Sequence, residues 1–154
     1  MRRRLSGLTI AAALALCVAA PSHGASPEFR KWAQALPADG WKLVDMNDGA
    51  GFAVFVKPPE PKQGRVRLWT RYELVKKDDK GMASWIDYYD FDCANRKMIL
   101  LTEVQYRQNN QLEVLATIDK PGAEQFVIPG TEGETLLNGA CSPSDTSWGA
   151  TVLR

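Results

Sequence analysis

Histidine is almost missing from this chain of 154 residues, because His23 is the only one. It lies within a predicted leader segment, so we expect the mature chain to contain none. Without histidine a Ser-His-Asp or Cys-His catalytic site cannot form, and a zinc site made from two cysteines and carboxylates would be unusual. We therefore expect a protein without catalytic residues, metal or cofactor, which is not an enzyme.

Long hydrophobic runs are lacking as well, because the apolar stretch near the N-terminus is too short to span a bilayer. Three arginines precede it and small residues follow it, which is the order of a secretory signal peptide. We predict that residues 1–25 are removed by cleavage after Ala25 or, alternatively, after Gly24. Cys17 is a poor site for a lipid anchor because the bulky Leu16 precedes it. The mature chain should be exported without a transmembrane span, to the periplasm or, alternatively, to the outer-membrane surface or the extracellular space.

An excess of positive charge is also absent. Loss of the three leader arginines lowers the count of Lys and Arg from 19 to 16 against 18 Asp and Glu, which gives a net charge of −2. A slightly acidic exported chain is a poor partner for nucleic acid. The mature length suits a single domain with a real core. We place this domain at residues 26–141 and predict a loose tail at residues 142–154.

Cysteine is scarce: three are present, and removal of the leader takes Cys17 away. Two cysteines in an oxidising compartment usually pair, so we predict a disulfide between Cys93 and Cys141. Their spacing is far from a CxxC redox motif. Two free thiols or an intermolecular bridge remain the alternatives.

Most of the chain shows the alternation of apolar and polar residues that is typical of strands, which predicts a mainly β (α+β) fold. The first exception is a short N-terminal helix at residues 27–37, in which apolar residues fall at helical spacing behind Ser26 as the N-cap. A proline-rich loop is predicted at residues 57–64. The rest forms a single antiparallel sheet of about six strands whose consecutive members are hairpin neighbours. The predicted strands are 41–46, 52–57, 65–77, 82–93, 96–107 and 112–119.

The last predicted element is a short C-terminal helix. Thr131 and Glu134 have the spacing of a capping box. Leu136 and Leu137 begin the apolar stripe that should face the sheet. A disulfide at Cys141 would tether this helix to the sheet.

The strand at residues 65–77 carries the best candidate for a binding site. Its arginines share one face with Glu73, and we expect this to be the wet face of a half-buried strand. Arginine forks bind carboxylate and sulfate, and an aromatic neighbour adds stacking, so the face could bind an anionic glycan or an acidic protein segment. Alternatively, it is an ordinary exposed face that pairs with Asp87, Asp90 or Glu103. The candidate binding residues are Arg65, Arg67, Trp69 and Arg71.

Three aspartates at the end of the next strand invite a calcium interpretation. Alternation puts Asp90 and Asp92 on one face and Asp87 on the other, and no glycine-turned loop accompanies them. We interpret Asp90 and Asp92 as polar residues that balance the arginine strand. The face with Asp87 is rich in aromatic residues and is expected to be buried.

Four sequence pieces occur in order between residues 41 and 141. Together they make the chain resemble the surface-adhesin protein E-like domain family of bacterial exported proteins. The pieces are Trp41, "RLWTRYEL" with Trp69 and Tyr72, "DCANR" with Cys93 and Arg96, and "VIPGTEGETLLNGAC" with Pro129, Thr131, Glu134 and Cys141.

The resemblance implies an antiparallel sheet with a C-terminal helix tethered by a disulfide. The family takes its name from an outer-membrane adhesin that binds host matrix proteins such as vitronectin and laminin and forms dimers. The implied function is a non-catalytic, adhesin-like domain that recognises a host matrix protein or an anionic polymer through its sheet face, with a homodimer as its implied assembly. The alternative is a soluble periplasmic accessory protein with a structural or stress-related role and no host ligand.

Overall fold

The computed structural model describes residues 25–111 and 113–142. The predicted leader apart from its last residue, and the predicted tail apart from its first, lie outside these ranges. No helix within the ranges is long and apolar enough to cross a membrane. The elements in chain order are α1 (Pro27–Ala35), β1 (Lys42–Asn47), β2 (Phe52–Val56), β3 (Glu60–Lys62), β4 (Arg65–Leu74), β5 (Ser84–Asp92), β6 (Lys97–Tyr106), a 3-10 turn (Asn109–Gln111), β7 (Val114–Ile118), β8 (Gln125–Phe126) and α2 (Glu132–Cys141).

All the described strands belong to one antiparallel sheet, which confirms the predicted mainly β fold. Six strands follow the order β1-β2-β4-β5-β6-β7, while the short β3 and β8 pair with β4 and β6. The proline-rich loop predicted at residues 57–64 is wrong where β3 forms. Gln63 and Gly64 both have positive φ, which suits a two-residue hairpin turn, and they fold β3 back onto the start of β4.

Helix α2 covers one face of the sheet, termed the α2 face. It contributes Leu136, Leu137 and Ala140 to the buried core, and the disulfide fixes its last residue to the residue that follows β5. The Cα atoms of Cys93 and Cys141 are 5.7 Å apart, so the predicted intramolecular bridge is confirmed. Closing a loop of this length stabilises the folded state by about 4 kcal/mol in the chain-entropy model. The sheet residues buried in this core include Val44, Val54, Val56, Leu68, Tyr72 and Phe91.

Helix α1 begins as the sequence predicts. The Oγ of Ser26 accepts a hydrogen bond from the backbone N–H of Phe29 at 3.3 Å, which satisfies one of the free donors of the first turn. The helix ends at Ala35, earlier than the predicted end at residue 37. Leu36 is extended because the following Pro37 disfavours helical backbone before it.

The opposite side of the sheet is termed the α1 face. Ala33 of the helix packs there against Ala53 and Phe55 of β2, and α1 also contacts β1. Both strands lie at one end of the strand order. The start of β4 and the strands β5 and β6 lie farther along the same face.

The capping box predicted at the start of α2 is wrong in its bonding. The Thr131 hydroxyl donates to the backbone oxygen of Ile128 at 2.6 Å and makes no cap to the helix. Glu134 accepts from the backbone N–H of Gly130 at 2.8 Å instead of that of Thr131. The hydroxyl is thus engaged by the preceding turn, and only the glutamate half of the motif reaches back.

Candidate binding surface

The first half of β4 brings three of the predicted binding residues together on the α1 face. Arg65, Arg67 and Trp69 alternate along the strand and therefore point to the same side. Strand β5 runs beside β4 in constant antiparallel register, which places Tyr88 opposite Trp69 and Asp90 opposite Arg67. Side chains directly opposite each other on one face make contact. Arg65, Arg67, Trp69 and Tyr88 are termed the aromatic–arginine surface.

An aromatic stack forms the centre of this surface. The rings of Trp69 and Tyr88 lie 4.1 Å apart between centroids and are inclined by 16°. The guanidinium carbon of Arg67 lies 5.7 Å from the centre of the Tyr88 ring, within cation–π range. The Tyr88 hydroxyl donates to Glu60 Oε2 of β3 at 3.2 Å. Both aromatic residues are only partly buried, so a positioned aromatic pair with an arginine beside it faces solvent.

Acidic side chains balance the two arginines of the surface. Arg65 forms an ion pair with Asp90 through its Nε, and its Nη1 lies 3.1 Å from Glu124 Oε1. The Nε of Arg67 lies 3.4 Å from the second oxygen of Asp90. The predicted pairing with Asp90 is confirmed. The arginine side chains keep 28% and 26% of their surface exposed, so they remain within reach of a partner.

Arg71 is buried, although it shares the α1 face with the other two arginines. It exposes 2% of its surface and its neighbour Glu73 exposes 1%, so the expectation of a wet face is wrong at both residues. One Nη of Arg71 donates to the backbone oxygen of Pro37 at 2.7 Å, and the guanidinium carbon lies 4.3 Å from the centre of the Phe55 ring. Its Nε lies 3.3 Å from Glu73 Oε1 but makes no hydrogen bond within the described residues. Burial lowers the pKa of Arg71, and the charge of Glu73 opposes that shift.

Asp87 lies on the α2 face, directly opposite Thr70 of β4, and exposes only 3% of its surface. The Tyr89 hydroxyl donates to Asp87 Oδ2 at 2.9 Å, whereas Asp87 Oδ1 and Thr70 Oγ1 have no hydrogen-bond partner among the described residues. Burial raises the pKa of Asp87 to about 7, and the nearby Glu103 and Glu132 carboxyls add to the rise. The suggested pairing of the arginines with Asp87 or Glu103 is wrong, because these two acids face each other across β5 and β6 on the α2 face.

The aspartates on the arginine side serve as ion-pair partners. Asp90 and Asp92 share the α1 face, as alternation predicts, and both contact Arg65. Hydrogen bonds from Asn95 hold the pKa of Asp92 below its usual value. Among the residues that the structure describes, no group of three or more His, Cys, Asp or Glu side chains is arranged to hold a metal ion.

Tyr88 is missing from the predicted binding residues. A turn at residues 78–81, as the sequence predicts, would by itself set Trp69 opposite Asp90. The observed strands are offset by two residues from that register, so Trp69 lies opposite Tyr88. Strand pairing, rather than the pattern of one strand, was the signal that identifies this residue.

Two solved structures of Haemophilus influenzae protein E are similar to this chain. One, crystal form II, has 15% identity, covers 70% of this chain and 93% of its own, and gives a TM-score of 0.47. The other has 19% identity, covers 69% of this chain and 86% of its own, and gives a TM-score of 0.46. No protein with a curated description matches this chain. A family model described as Surface-adhesin protein E matches residues 41–142, which is most of the sequence and the stretch that carries the four motif pieces. The chain therefore belongs to the Surface-adhesin protein E family.

Proposed function

We propose that this chain is an exported, non-catalytic binding domain that recognises a protein partner through the aromatic–arginine surface. Membership in the Surface-adhesin protein E family indicates an adhesin-like surface or exported protein and favours a role without catalysis. The observation that carries the proposal is the partly exposed stack of Trp69 on Tyr88 with Arg67 beside it. Export through removal of residues 1–25 is part of the same proposal.

The residue types of the surface are those that dominate protein interfaces. Trp, Tyr and Arg supply most of the binding energy in interfaces, because each buries a large area and still offers a polar group. Trp69 and Tyr88 hold each other in place, and Tyr88 is also bonded to Glu60. Side chains that are already ordered lose little entropy when a partner binds. The surface is therefore well prepared for contact.

The charges around the stack favour a protein over an anionic polymer. Asp90 binds both Arg65 and Arg67, and Glu124 also binds Arg65. Paired arginines attract a polyanion weakly, because neighbouring acids cancel their field. Stacking and burial of apolar area should thus provide most of the affinity, and binding should depend little on salt.

The test is binding of the oxidised mature chain to immobilised laminin and vitronectin by biolayer interferometry. Trp69→Ala removes the centre of the stack and should weaken binding about 10- to 30-fold, as loss of a central interface residue does. Trp32→Ala is the matched control, since Trp32 is a partly exposed tryptophan on α1 whose ring pairs with that of Phe29, 5.1 Å away between centroids. It should change binding less than about twofold. Thermal unfolding of each variant shows whether it is folded.

Each outcome decides between alternatives. Equal binding by wild type and Trp69→Ala would place the binding site elsewhere. A steep loss of binding between about 0.05 M and about 0.5 M NaCl would indicate an electrostatic site for an anionic polymer. If the wild type binds neither matrix protein and is recovered from the soluble periplasmic fraction, the accessory role without a host ligand replaces the adhesin-like one.

A further inference from the structure

Exposed apolar side chains concentrate along one edge of the sheet. Strands β7 and β8 both pair with β6, and together they form this edge at the two ends of β6. Five large hydrophobic residues of the described chain are exposed, and four of them lie on or beside these two strands. These four are Val114, Ile118, Phe126 and Ile128. A sheet edge that leaves several large apolar residues exposed is a candidate interaction surface.

The other exposed edges of the sheet carry the usual protection against strand pairing. β1 contains Lys42 and Asp45 and has a bulge, and the Asp45 carboxylate accepts from the backbone N–H of Met46. β3 places Pro61 between two charged residues. Charge, proline and bulges all discourage the addition of a further strand. β7, with the sequence VLATI, has a bulge near its start but neither charge nor proline, and within the described chain it pairs on one side only.

We propose that the outer edge of β7 is a docking site for an extended segment of another protein, which adds to the sheet as a further strand. The segment has β-branched or other apolar residues at its centre, to cover Val114 and Ile118, and basic residues at its ends. Backbone hydrogen bonds supply the pairing, and the alternate side chains supply the selectivity. This surface is separate from the aromatic–arginine surface, which lies on the sheet face at β4 and β5.

The charges at the two ends of β7 determine which occupant fits. Glu113 precedes the strand and Asp119 follows it, and both are exposed. Two copies of β7 paired antiparallel about Ala116 would set Glu113 of one copy opposite Asp119 of the other, and like charges in that position are destabilising. Lysine or arginine at the ends of an incoming segment would make opposite-charge pairs instead. Both acids also have a partner within the chain. Glu113 Oε1 lies 3.3 Å from the Nε of Arg107, and the Asp119 carboxylate accepts a hydrogen bond from the Thr102 hydroxyl.

The probe is a synthetic peptide of alternating valine and threonine with two lysines at each end, labelled with fluorescein and followed by anisotropy. Its control has glutamates in place of the lysines and should bind about tenfold more weakly, because both end pairs become repulsive. Thr117→Lys puts a charge on the exposed edge and should also weaken binding of the lysine peptide about tenfold. Gln34→Lys adds the same charge on the exposed side of α1 and should change binding less than about twofold.

Hydrogen exchange on the wild-type chain keeps the test independent of the variants. Saturating lysine peptide should slow amide exchange about tenfold within residues 114–118 and leave the β1 amides unchanged. Equal binding of the two peptides, equal binding by Thr117→Lys, or no binding at about 1 mM peptide would each overturn the proposal. So would a dimer in sedimentation with protected β7 amides in the absence of peptide, since a second copy would then be the occupant. Trp69→Ala should bind the peptide normally, so this result and that of the matrix-protein test are separable.

Discussion

Both halves of β4 carry arginine on the same face of the sheet, but the arginines of the first half are partly exposed and the arginine of the second half is buried. In the first half Arg65 and Arg67 lie at the surface, and each has an ion pair with Asp90. In the second half Arg71 is enclosed with Glu73 beneath the chain that follows α1. Alternation decides the face to which a side chain points, but the elements packed over that face decide whether water reaches it.

The neighbours of each half explain the difference. The first half is flanked by the three-residue β3, which leaves the side chains above it open. The second half pairs with β2, whose Phe55 lies under the Arg71 guanidinium. Asn109 from the 3-10 turn donates to Glu73 Oε2 at 2.6 Å and closes the other side. The second half is therefore part of the core, whereas the first remains available to a partner.

Arg71→Ala should give the largest effect, because it removes one member of a buried ion pair. Loss of one partner leaves an uncompensated charge and typically costs about 3–5 kcal/mol of unfolding free energy. Urea unfolding with the disulfide intact measures this cost. Arg71→Met keeps apolar contact with Phe55 while it also leaves Glu73 without the guanidinium. A near-normal stability of Arg71→Met would show that packing, rather than charge, makes the second half sensitive.

A pH dependence should arise from the α2 side of the same buried half, where Asp87 faces Thr70. The pKa of Asp87 is raised from 3.8 to about 7 on folding, so the folded state binds its proton more tightly than the unfolded state does. The stabilisation is fully present below about pH 4 and is lost as pH rises through about 7. For a shift of about three pH units at about 1.4 kcal/mol per unit, the loss should be roughly 4 kcal/mol.

Asp87→Asn separates this contribution from those of the neighbouring acids. The amide cannot ionise and can still accept the hydrogen bond from Tyr89. The difference in unfolding free energy between wild type and Asp87→Asn should change by about 1 kcal/mol for each unit between pH 4.5 and about pH 6.5 and level off above about pH 7. A difference that stays constant with pH would mean that Asp87 is already ionised in the folded state at low pH.

The fold could be predicted largely from the sequence, because its signals are local. Strand alternation, the turn at residues 78–81 and the helical spacing behind Ser26 each depend on a few neighbouring residues, and the structure contains the hairpin and the helix they predict. The failures involve competing partners. β3 forms because a turn with two positive φ angles folds it back onto β4. The Thr131 hydroxyl bonds to the Ile128 carbonyl instead of capping the N–H groups of the helix.

The candidate site was less predictable, because its members are separated by tertiary contacts. The sequence placed Arg65, Arg67 and Trp69 on one face, and the structure agrees on that point. It could not show that Arg71 is covered, since Pro37 lies 34 residues away in the chain. Tyr88 enters the site only through the register of β4 with β5. The residue pattern of β4 therefore predicts which of its side chains share a face, whereas the pairing of β4 with β5 decides which residues complete the aromatic–arginine surface.

Arg67→Ala should give the smallest effect on stability and so provides the sharpest test of the contrast within β4. A partly exposed ion pair contributes about 0.2–1 kcal/mol, and this contribution falls when salt screens it. Arg107→Ala is a suitable control, because Arg107 has one ion pair at 3.3 Å and no place in the aromatic–arginine surface. Both variants should unfold in nearly the same urea concentration as wild type, whereas only Arg67→Ala should weaken partner binding. A loss above about 2 kcal/mol for Arg67→Ala would show that the first half of β4 is as structural as the second. Unchanged stability together with weaker binding is the result expected for a residue that contacts the partner and does not stabilise the fold.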